Sequence, residues 1–109
     1  SIQFFNCLPM FVHHVFFWLK AGLPQADIAQ FEKGVSSLLS IEHVKMGDVG
    51  KPAATDRPVI ERTYSYSLLL VFEDKAAHDA YQPHPVHKAF VETCSHLWDR
   101  VLIYDSESI

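Results

Sequence analysis

The chain has 109 residues, a formal net charge of −4 and a hydrophobic fraction of 49%, which suits one domain that can bury roughly two thirds of its unfolded surface without staples. With a pI near 5.9 and no Lys/Arg cluster, it lacks the electrostatic footprint of a nucleic-acid binder, so no nucleic-acid partner is expected. No apolar run reaches the length of a bilayer-spanning helix, so no membrane partner is expected either.

Aromatic residues make up 13% of the chain. That surplus predicts apolar surface left for a second chain or for a ligand cavity. Cys7 and Cys94 are too few and too far apart for a disulfide framework, and no zinc spacing occurs. The opening SIQFFNCLP has no basic segment, so a secretory signal is not expected. Met10 follows it and could be a start codon. Residues 1–9 therefore read as an N-terminal extension and 10–109 as the domain, in a cytoplasmic protein.

The first strong element is FVHHVFFWL, residues 11–19. Phe, Val, Trp and Leu favour a pleated surface. A strand here puts Phe11, His13, Val15, Phe17 and Leu19 on one face, and Val12, His14, Phe16 and Trp18 on the other. Both faces are apolar, so both should be covered. Helices can cover one, and a second subunit the other, which predicts a homodimer.

Lys20 to Gly22 form a turn, and Pro24 suits a helix start with Asp27 in the first turn. Ile28, Phe31, Val35, Leu38 and Leu39 recur at helical spacing to about Ser40. Residues 41–50 alternate imperfectly, with Ile41, Val44 and Met46 apolar, and read as a short half-exposed strand. Residues 50–58 are a loop by composition, with Asp56 and Arg57 as solvated charges. Residues 63–72, TYSYSLLLVF, read as a strand with Tyr64, Tyr66, Leu68, Leu70 and Phe72 on one face. Glu73 and Asp74 open a short helix holding Ala76, Ala77, Ala80 and Tyr81. Gln82 to Pro85 interrupt it, and a second helix carries Val86, Phe90, Cys94 and Leu97 toward the core. WDRVLIYD closes the chain as a strand. The order is β-α-β-β-α-β, a ferredoxin-like α+β fold.

The stretch richest in chemistry is YQPHPVHKAF, residues 81–90. Pro85 can start a helix with His84 just outside it. His87 then falls in the first turn, where the helix dipole disfavours an imidazolium. A neutral imidazole there can act as a base. His84 and His87 have a spacing that could chelate, but Pro85 and the lack of nearby carboxylates argue against a metal. His13 and His14 point to opposite faces and cannot share an ion from one chain. His13 reads as a structural histidine. Tyr64, Tyr66, Phe16, Trp18 and His84 are candidate pocket-lining residues.

The first-strand histidine of HVFFWLK, the strand ending VFED, the segment AYQPHPVHKAF and the closing VLIYD resemble the stress-responsive A/B barrel domain, Dabb. The resemblance covers Phe11 to Asp105. It implies a dimeric α+β barrel that associates through its sheets. The family includes a polyketide cyclase, olivetolic acid cyclase, that closes a linear polyketide by aldol condensation without cofactors. By that resemblance His87 and Tyr81 are the candidate catalytic pair, with His14 as the first-strand histidine. Tyr66 stands where the cyclase has another histidine, which changes the polarity of the pocket. The expected functions are a homodimeric stress-responsive barrel protein with a pocket for a hydrophobic small molecule, or a cyclase-like acid–base enzyme acting on a hydrophobic carbonyl compound. Neither requires a cofactor.

Overall fold

The computed structural model describes residues 9–109. Nearly all of the expected extension, Cys7 included, lies outside the described residues. Strand β1 (Phe11–Leu19) leads to helix α1 (Gln25–Ser37) and a 3₁₀ turn (Leu38–Ser40). Strands β2 (Met46–Gly50) and β3 (Tyr66–Phe72) follow. Two short helices, α2 (Lys75–Tyr81) and α3 (Pro85–Cys94), and a second 3₁₀ turn (Ser95–Leu97) precede β4 (Trp98–Glu107). The strands form one antiparallel sheet in the order β2-β3-β1-β4. This is the ferredoxin-like arrangement of an α+β domain. Among the described residues no helix is long and apolar enough to cross a membrane.

The helices cover the sheet face bearing Phe11, His13, Val15 and Phe17, all buried. Phe31 and Val35 of α1 and Phe90 and Cys94 of α3 meet them, with Leu68, Leu70 and Phe72 from β3. Periodicity explains this core: strand residues alternate faces, and the helix residues recur at three- and four-residue steps.

Two local expectations change. Ile41 to Lys45 is not strand: Ile41 N–H donates to Leu38 O and Val44 N–H to Ile41 O, so a turn carries Ile41 into the core. The strand assigned to residues 63–72 begins only at Tyr66. Just before it Ser65 bends, its N–H donating to Phe17 O while its hydroxyl accepts from Leu19 N–H. Alternation stops at that bend, so Tyr64 does not share a face with Tyr66. It packs on Phe16, ring centroids 5.0 Å apart, on the side away from the helices. Pro24 stands at the start of α1 as expected, as its N-cap. The turn before it uses Gly22 at φ 73°, where a glycine is unstrained.

Candidate functional site

The break between α2 and α3 organises the site. Asp74 caps α2 by accepting from Ala77 N–H at 2.9 Å. The helix ends at Tyr81, whose carbonyl accepts from His84 N–H. His84 is the N-cap of α3, and Pro85 is its first residue. Val86 N–H donates to His84 Nδ1 at 3.1 Å, so Nδ1 carries no proton and Nε2–H faces Glu42 Oε1 at 2.8 Å. Both nitrogens of His84 are therefore committed to structure. It does not line the cavity described next, contrary to its assignment as a pocket residue.

His87 sits in the first turn of α3, and its Nδ1 lies 2.9 Å from Gln82 O. A carbonyl only accepts, so Nδ1 holds the proton and Nε2 keeps its lone pair. Burial is the main cause that lowers the His87 pKa; the Gln82 carbonyl opposes it. The ring is thus a neutral imidazole at pH 7. Tyr81 packs against it at 4.8 Å between centroids and is 1% exposed. No buried side-chain polar atom among the described residues is left without a partner. Burial pushes the Tyr81 hydroxyl's pKa well above its ordinary value, so it remains a donor.

Both rings line a cavity of about 200 Å³ between the sheet and α3. Its other walls include His13, Phe17, Leu68, Phe90 and Ile103. His13 is 4% exposed, and its Nδ1 lies 2.6 Å from Asp105 Oδ1, so the ring donates to that carboxylate. Burial lowers the His13 pKa and outweighs the carboxylate, which raises it.

The expected site residues divide among three regions. His87 and Tyr81 come together. His14, Phe16, Trp18 and Tyr64 line a separate cavity of about 360 Å³ on the opposite sheet face, with Leu102 and Tyr104. Strand alternation forbids His14 from joining His87; the first-strand imidazole beside His87 is His13. Tyr66 faces the helices but at the far end of the domain. It lines a cleft of about 430 Å³ and donates to Glu32 Oε2 at 2.6 Å. Burial and that carboxylate push its pKa up to about 12. The sequence reading missed His13 as a cavity residue. The phase of Val15 and Phe17 carried the signal, because His13 shares their face.

The chain matches the family model described as Stress responsive A/B Barrel Domain over residues 11–108. A search of curated proteins finds no match. Among solved structures, a Dabb family protein with a ferredoxin-like fold from Mesorhizobium loti is 25% identical, with TM-score 0.74, covering 93% of this chain and 98% of its own. A dimeric ferredoxin-like protein from Jannaschia sp. CCS1 is 28% identical, with TM-score 0.67 and coverage of 91% and 99%. The hydroxynitrile lyase from Passiflora edulis has TM-score 0.73 at 17% identity, with coverage of 92% and 94%, a likeness of fold alone. Topology, the His-Pro-x-His break and a match spanning nearly all of the described residues agree: the chain belongs to the stress-responsive A/B barrel domain family.

Proposed function

We propose that the protein is a homodimeric barrel in which each chain binds a small apolar carbonyl compound, and that His87 and Tyr81 perform cofactor-independent acid–base chemistry on it. The observation that carries this reading is the open Nε2 of His87. The Gln82 carbonyl fixes the proton on Nδ1 and leaves a base beside the Tyr81 ring, in an apolar cavity. Nε2 takes a proton from the carbon next to the carbonyl. The C–H electron pair becomes the enolate, and Tyr81 O–H donates to its oxygen. The imidazolium then returns the proton to carbon. At about 200 Å³ the cavity is below the ~300–1,000 Å³ of drug-sized ligand sites, which points to a small substrate.

The dimer rests on the sheet face away from the helices. Phe16, Trp18, Tyr64, Leu102 and Tyr104 gather there, with Tyr104 62% exposed. A second copy would cover this aromatic face. The Jannaschia protein is described as dimeric, which supports a dimer here.

The test needs no natural substrate. Small ketones such as butanone are incubated with the protein in D₂O, and α-proton exchange is followed by NMR. Wild type should accelerate exchange over buffer. His87→Asn and Tyr81→Phe should each lower that acceleration by roughly 10²-fold, with melting temperatures near the parent's. Exchange no faster than buffer across a ketone panel, or a folded His87→Asn variant as active as the parent, overturns the proposal. Lower melting temperatures with no catalysed exchange would identify these rings as packing groups.

A further inference from the structure

We propose that His13, His78 and Asp105 form a binding site for a divalent transition-metal ion of the zinc class. Each residue offers one ligand atom, and those atoms lie within 4.8 Å of one another. They come from β1, α2 and β4, so no local spacing in the sequence announces them. Two imidazoles and a carboxylate are a common set of three protein ligands, with a further position left to water.

The cluster is held in place from several sides. His13 and Asp105 are directly opposite in the β1–β4 register. Phe11 stacks on His78 at 4.5 Å and 25°, and Phe72 meets both imidazole rings edge-on at 6.5 and 5.5 Å. The two imidazoles lie 4.9 Å apart between centroids. They are 4% and 9% exposed, while the Asp105 side chain is 40% exposed and opens a path from solvent. Asp79 Oδ1 lies 3.1 Å from His78 Nδ1. A carboxylate on one ring nitrogen is the outer partner that orients a metal-binding imidazole through the other. That other nitrogen, Nε2 of His78, meets the Gln82 side-chain amide at 3.1 Å, a neutral partner that an ion would displace. An ion would replace the proton that His13 Nδ1 now donates to Asp105 across 2.6 Å.

The inference is independent of the proposed acid–base role, which uses His87 and Tyr81. Zinc titration of the intact chain, followed by calorimetry, tests it. The expected result is one Zn²⁺ per chain with a raised melting temperature. His78→Ala and Asp105→Asn should each weaken binding by at least ~10-fold, and the Asp105 variant serves should His78→Ala fail to fold. His84→Ala is the control, because His84 lies with Glu42 and His43 outside the cluster. Wild type that binds no zinc overturns the proposal. So do folded cluster variants that bind as wild type does, or a His84→Ala variant that abolishes binding.

Discussion

The contact that fixes α3, and with it His87, is the approach of α1 at Gly34. A Cβ built there would lie 2.7 Å from Cys94 Sγ and 3.2 Å from Phe90 Cδ1. Ordinary carbon contacts sit at ~3.5–4.0 Å, so something must shift. Cys94 is fully buried, and its Sγ is engaged with Gln30 O and Thr93 Oγ1. Gly34→Ala gains about 1 kcal/mol of helix propensity. Overpacking costs about 1–3 kcal/mol. The net effect is a loss of about 0–2 kcal/mol. The sharper measurement is the coupling with Cys94→Ala, which deletes Sγ and makes room. In that background Gly34→Ala should be neutral or stabilising, with a coupling of about 0.5–3 kcal/mol. Urea unfolding of the four proteins of the cycle decides the matter. A Gly34→Ala chain more stable than its parent, with no coupling to Cys94, would refute the packing argument.

Other outcomes follow from the same structure. His13, His14 and His87 all have pKa values lowered by burial, so the unfolded chain takes up their protons first. Their contribution is present above the unfolded pKa of ~6.5 and is lost as pH falls through the folded values. Unfolding free energy should therefore drop on acidification below that point, and a flat profile in urea melts would contradict the burial argument. His84→Ala removes the cap of α3 and the Glu42 partner, and should cost about 0.5–2 kcal/mol in thermal or urea melts; an unchanged midpoint would dismiss the cap. Sedimentation at micromolar concentration should report a homodimer, with a buried interface above ~1,000 Å², and a well-folded monomer would remove the dimer from the account.

Much of this fold is legible in the sequence because its signals are local. Phe31 and Val35 recur at helical spacing, and Pro85 starts a helix wherever its neighbours permit one. The placement of His87 in a first turn follows from Pro85 alone. Tyr64 is a different case. Its alternation with Tyr66 is unbroken in the sequence, and only the bonds of Ser65 to Phe17 and Leu19 turn it to the other face. His13 and His14 illustrate a second limit. Alternation separates them, but which face receives the helices depends on packing across the whole sheet. Asp105 and His78 reach His13 through register and helix docking, which no window of residues encodes.

The central claim is that His87 presents an unprotonated Nε2 to the cavity at neutral pH. Nitrogen chemical shifts of histidine-labelled protein, assigned through His87→Asn, report tautomer and titration directly. The account predicts a neutral ring at pH 7, protonated on Nδ1, that titrates below 6.5. A His87 ring that is cationic at pH 7, or that carries its neutral proton on Nε2, would contradict it.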